Sequence, residues 1–173
     1  MPGPANRPTH VLIGPPGAGK STVGTLLAAR LGVDFRDTDA DVERTSGKTI
    51  AEIFYDEGEP GFRAREHQAV EEALATHRGV LSLGGGAVLN SHTRALLRGH
   101  HVVFLTVSLG EAANRVGLSR DRPVLALNPR ATLRDLMAQR LPFYQALAGV
   151  TVDTTGREPD DVAADIARLS HNA

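Results

Sequence analysis

The stretch Gly14-Pro15-Pro16-Gly17-Ala18-Gly19-Lys20-Ser21 meets every fixed position of the pattern G-x-x-x-x-G-K-[ST]. Its flanks narrow the fold further. His10-Val11-Leu12-Ile13 reads as a short buried strand, and Ser21 to Leu31 reads as a helix with Val23, Leu26, Leu27 and Leu31 on one face. Strand, glycine-rich loop and helix in that order aim amide N–H groups at a phosphate chain, beside the positive end of a helix. Lys20 adds a cation for the outer phosphates, and the Ser21 hydroxyl suits Mg²⁺. Gly17, Ala18, Gly19, Lys20, Ser21 and Thr22 are therefore the predicted contacts to a nucleotide's phosphates.

Strand patterns near 10–14, 33–37, 79–83, 101–107 and 149–153 alternate with helical ones. That alternation predicts an α/β fold with a mainly parallel sheet, whose ligands sit beyond the carboxyl ends of the strands. A length of 173 residues fits one domain, expected over 9–170, behind a loose proline-rich tail at 1–8 that has no apolar signal core. The net charge of −1, with no block of like charges, argues against a nucleic-acid tail or a membrane anchor. The absence of cysteine rules out a thiolate metal site or a thiol nucleophile. No apolar run is long enough to cross a bilayer, so a cytoplasmic location is the default expectation.

Carboxylates and arginines carry the rest. Asp37-Thr38-Asp39 closes the second strand, and Asp37 is the expected carboxylate on the metal side. Asp39 is then left for a second substrate, unless it or Asp41 only caps the helix starting near 40. A short helix over 49–57 and a turn at Gly58-Glu59-Pro60-Gly61-Phe62-Arg63 lead into a longer helix ending near Thr76. Arg63 and Glu66 share its buried face with Val70. Glu66 reads as half of an internal ion pair, and Arg63 as the better ligand candidate. Gly84, Gly85 and Gly86 end the third strand and permit close approach of a ligand or a packed helix.

A helix over 112–116 carries Arg115, and a basic, proline-broken segment at about 117–130 follows it, predicted to be a lid. Arg122, fixed by Pro123, is the lid arginine expected to meet a triphosphate. A helix over 131–145 has the apolar stripe Leu133, Leu136, Met137, Leu141 and Tyr144, with a loosened turn at Pro142. Arg140 falls on that stripe, either snorkelling to water or aimed into the crevice. The turn 154–159 after the last strand, beside Arg157, is placed on the nucleobase side, and Val162, Ile166 and Leu169 pack the final helix. Arginine forks favour carboxylate or phosphate, and a carboxylate accepts from a hydroxyl. Asp39, Arg63 and Arg140 together describe a small hydroxy acid offered to a γ-phosphate.

In this order and spacing, GPPGAGKST at 14–22, DTD at 37–39, GEPGFR at 58–63, GGGA at 84–87, RP at 122–123 and RLPFY at 140–144 resemble the shikimate kinase family over about residues 9–169. The resemblance implies a three-layer P-loop kinase fold with a five-stranded parallel sheet in the order 2-3-1-4-5, and a monomer. It also implies ATP and shikimate as substrates and shikimate 3-phosphate as product, on the route to chorismate and the aromatic amino acids. Asp39, Arg63 and Arg140 would bind shikimate over a floor of Gly84, Gly85 and Gly86, with Asp39 orienting or deprotonating the reacting hydroxyl. Lys20 and Arg122 would steady the transferring phosphoryl group, Ser21 would bind Mg²⁺ with help from Asp37, and Arg157 would lie on the adenine side. A gluconate kinase is the nearest rival, and a nucleotide-dependent switch without an acceptor is the rival from another class.

Overall fold

Alternate residues of strand β1 (His10–Ile13) point into different cores, because the strand is buried on both faces. A computed structural model describes residues 7–117 and 129–171. Four further strands, β2 (Phe35–Asp37), β3 (Val80–Ser82), β4 (Val102–Thr106) and β5 (Val150–Asp153), complete a sheet in the order β2-β3-β1-β4-β5. Every pairing is parallel, with Leu12 opposite Ser82 on one side and Val103 on the other.

The helices are α1 (Lys20–Leu31), α2 (Thr38–Ser46), α3 (Ile50–Thr76), α4 (Ser91–Leu97), α5 (Leu109–Gly117), α6 (Pro129–Leu147) and α7 (Pro159–His171). On one face of the sheet Leu12, Val103 and Leu105 meet Val23 and Leu27 of α1, Ala112 of α5, Leu133 of α6, and Val162 and Ile166 of α7. On the other face Val11, Ile13 and Phe104 meet Val70 and Leu74 of α3, Leu97 of α4 and Tyr144 of α6. A third, smaller core of Val42, Ile53, Phe62 and Ala69 lies between α2 and α3.

Several local expectations change. Helix α3 is one element rather than two helices and a turn, but it kinks at Gly58 (φ 71°, ψ 177°). Pro60 then falls in the first turn after the kink, where its missing N–H is tolerated. Helix α6 runs through Pro142 to Leu147. Leu141 and Leu169, expected on packed stripes, are 40% and 42% exposed. Arg7 and Pro8, assigned to the tail, lie against the body: the Arg7 guanidinium donates to the Gly99 carbonyl, and Pro8 is buried.

Candidate active site

The loop between β1 and α1 bends at Gly17 (φ 83°), where a Cβ would also lie 2.8 Å from the Ala112 carbonyl oxygen. Ala18 turns its side chain into the core, and its N–H bonds the Pro15 carbonyl at 3.2 Å. The loop therefore faces the cleft with Gly17, Gly19, Lys20, Ser21 and Thr22. Lys20 Nζ folds back onto the Gly14 and Pro15 carbonyls at 2.8 and 3.1 Å. No acidic residue occupies the first turn of α1, so the positive helix end is not neutralised locally.

Ser21 Oγ donates to Asp37 Oδ2 at 2.6 Å. The other oxygen, Asp37 Oδ1, accepts from the Asp39 N–H at 2.9 Å and caps α2. The cap considered for Asp39 or Asp41 is thus Asp37. Asp41 is instead bonded to Arg36 at 2.6 Å, and Asp39 projects into the cleft. The Ser21 hydroxyl and the Asp37 carboxylate offer hard oxygen ligands that fit Mg²⁺, an ion that takes few protein ligands and keeps waters and phosphate oxygens. Among the described residues, no group of three or more His, Cys, Asp or Glu could hold a metal ion.

The cleft has a volume of about 420 Å³ and continues from the loop to Asp39, Ser82, Gly84 and Gly85. A Cβ on Gly84 would lie 2.7 Å from both Asp39 Oδ1 and Glu66 Oε2, and one on Gly86 would lie 2.4 Å from the Arg63 guanidinium. The glycines therefore let two carboxylates and a cation rest directly on the backbone. Arg63 Nη1 donates to Glu66 Oε1 at 2.8 Å, which is the internal ion pair read for Glu66. Burial pushes the Glu66 carboxyl above the ordinary carboxylate range, against the pull of Arg63.

Arg140 does not snorkel: it is only 4% exposed. Its burial, together with the nearby Arg63 cation, lowers its pKa. The Nε atoms of Arg63 and Arg140 are both buried and have no hydrogen-bond partner among the described residues. Arg63 is partly exposed and ion-paired with Glu66 and Glu59, whereas Arg140 is a buried cation, and an anion would meet the unmet Nε donors of both.

Arg115, which the sequence places only on a helix, lines the cleft. Its Nη1 donates to the Gly17 carbonyl at 2.9 Å, and Nη2 reaches the Thr154 carbonyl at 3.3 Å and Glu111 at 3.3 Å. The Glu111–Arg115 spacing hints at a helix pair, but nothing local signals a contact 98 residues away. Arg157 is ion-paired with Asp165 on the turn after β5 and is not part of the cleft wall. Arg122 and most of the expected lid lie outside the described residues.

Three comparisons bear on this arrangement. The shikimate kinase family model matches residues 16–170. The shikimate kinase of Salinispora arenicola is 59% identical over 162 residues, 94% of this chain and 97% of that protein. That of Thermobifida fusca is 56% identical over 164 residues, 95% of each chain. The structure of the Acinetobacter baumannii shikimate kinase in complex with shikimate matches with a TM-score of 0.92 at 38% identity, covering 96% of this chain and 94% of that one.

Proposed function

This chain belongs to the shikimate kinase family, and from that membership we propose that Asp39, Arg63 and Arg140 hold shikimate while the loop at 14–22 holds ATP. The activity is transfer of the γ-phosphoryl group of ATP to the 3-hydroxyl of shikimate, giving shikimate 3-phosphate and ADP for aromatic amino acid biosynthesis. The observation that carries the assignment of residues is the buried, unpartnered Nε atoms of Arg63 and Arg140, with Asp39 against Gly84 and Arg63 against Gly86 of the glycine floor.

In this account the two guanidinium forks take the substrate carboxylate, and the Gly84, Gly85 and Gly86 backbone supports the ring. Asp39 accepts the proton of the reacting hydroxyl as its oxygen bonds to the γ-phosphorus and the bond to the β-phosphate oxygen breaks. Gly17, Gly19 and the first amides of α1 cradle the phosphates. Lys20 leaves its two carbonyls to follow the γ-phosphate, and Arg122 joins it from the lid at 117–130. Ser21 and Asp37 would hold Mg²⁺, which neutralises charge on the β- and γ-phosphate oxygens when bound. Arg157 borders the adenine end. The protein's main contribution is alignment and charge stabilisation, with little covalent work to do.

We place the enzyme in the cytoplasm as a monomer built of one domain. No helix among the described residues is long and apolar enough to cross a membrane. The test is ADP release with purified protein, ATP and Mg²⁺ against a panel of hydroxy acids. Shikimate should be turned over in preference to gluconate; robust turnover of gluconate alone, or ATP binding without acceptor-stimulated release, overturns the reading.

A further inference from the structure

Tyr144 is 1% exposed, and its ring stacks on Phe104 with centroids 4.9 Å apart. A phenol that deep needs a partner for its hydroxyl. The hydroxyl donates to the Gly85 carbonyl oxygen at 2.6 Å. Arg140 lies one turn earlier on the same face of α6, and both side chains are buried. One hydrogen bond therefore ties the part of α6 that carries Arg140 to the glycine floor.

We propose that Tyr144 is a positioning residue for shikimate: its hydroxyl ties the turn of α6 that carries Arg140 to the Gly85–Gly86 peptide. The inference rests on the reading above, in which Arg140 and the glycine floor both meet that substrate.

Three features make the hydroxyl matter. Arg140 has no acceptor for its Nε among the described residues and feels both the repulsion of Arg63 and the attraction of Glu66, so its placement depends on how its turn of α6 is seated. The Gly85 carbonyl is also held toward α6, which turns the Gly86 N–H of the same trans peptide the opposite way. That N–H makes no hydrogen bond among the described residues, so the tyrosine keeps a backbone donor aimed and uncommitted. Finally, burial raises the Tyr144 pKa to about 12, so its proton stays in place at any pH where the enzyme works.

The test is Tyr144→Phe, which keeps the ring and the Phe104 stack and removes only the oxygen. Steady-state kinetics should show KM for shikimate raised roughly five-fold, as for loss of one buried hydrogen bond between neutral groups. KM for ATP and kcat should stay within about two-fold, since the lost interaction acts on acceptor binding. Phe104→Leu serves as the packing control: it should lower Tm and leave KM for shikimate unchanged. If Tyr144→Phe has the wild-type KM for shikimate, loses kcat alone, or raises both KM values equally, the positioning role is overturned. An equal rise in KM for shikimate in Phe104→Leu also overturns it, because packing and not the hydroxyl would then set the site. Failure of the wild-type enzyme to phosphorylate shikimate would instead remove the functional reading beneath the inference.

Discussion

Gly86 has backbone angles of φ −96° and ψ 0°, which alanine adopts without strain. Its missing Cβ is needed for space, since that atom would lie 2.4 Å from both terminal nitrogens of Arg63. Gly86→Ala should therefore fold with stability within about 1 kcal/mol of wild type while moving the guanidinium. The expected outcome is a several-fold higher KM for shikimate and an unchanged KM for ATP; an unchanged KM for shikimate would show that the guanidinium needs no seat on the floor. Asp39→Asn keeps shape and loses the proton acceptor, so kcat should fall by about 10²–10⁴-fold. Equilibrium titration should show ATP affinity nearly intact, and near-normal turnover would remove Asp39 from its role. Both carboxylates of Asp37-Thr38-Asp39 were legible from their place at a strand end. Which of them caps α2 was not, because an N-cap depends on where the helix starts, and it starts two residues earlier than its pattern suggests.

Helix α3 shows what a sequence reading can and cannot resolve at the level of an element. Gly58 and Pro60 announce a change of direction, but both a turn and a kinked helix satisfy them. At Gly58 the pair φ 71°, ψ 177° belongs almost solely to glycine, so Gly58→Ala should cost about 1–3 kcal/mol, read as a lower Tm. A Tm equal to wild type would mean that the kink relaxes freely. In α6 the buried positions step from Leu133 through Arg140 to Tyr144, and Leu141 points outward. The spacing puts both Arg140 and Leu141 on the stripe, but adjacent helical positions face different ways, and it is Arg140 that packs inward. Strand β1 and α7 are joined by His10, whose Nε2 lies 2.6 Å from Ser170 Oγ. Burial, reinforced by the neighbouring His101, lowers the His10 pKa to about 4. Unfolding lets this ring take up a proton at its ordinary pKa, so the stabilisation is complete above about pH 6.5 and is lost as the pH falls toward 4. The loss by pH 4.5 should be on the order of 2 kcal/mol. His10→Gln should flatten the Tm-against-pH curve over that window, and an unchanged curve would mean that His10 titrates alike in both states.

At the scale of the molecule, the inner strands β1, β3 and β4 were readable because a doubly covered parallel strand is a nearly continuous apolar run, whereas the edge strands β2 and β5 carry polar residues and are half-exposed. Their order was implied only by family resemblance, since no residue in β2 marks that it pairs with β3 rather than β1. The contact of Arg115 with Gly17 was invisible for the same reason: it exists only after β4 has been laid beside β1. The three cores have a consequence for dynamics. Two of them are built on the faces of the sheet, and the third joins α2 only to α3. Asp39 and Arg63 are carried by the elements of the third core, whereas Arg140 and the phosphate loop belong to the sheet body. A shikimate molecule held by all three side chains ties the small core to the body, and a nucleotide on the loop alone does not. Local opening of α2 and the first half of α3 should therefore be suppressed by the acceptor. Hydrogen exchange read by mass spectrometry should slow over residues 38–62 on adding shikimate, and should change there much less on adding ATP analogue and Mg²⁺ alone. Equal protection by either ligand would mean that α2 and α3 move with the body as one unit, and that the separate core has no part in how the acceptor is received.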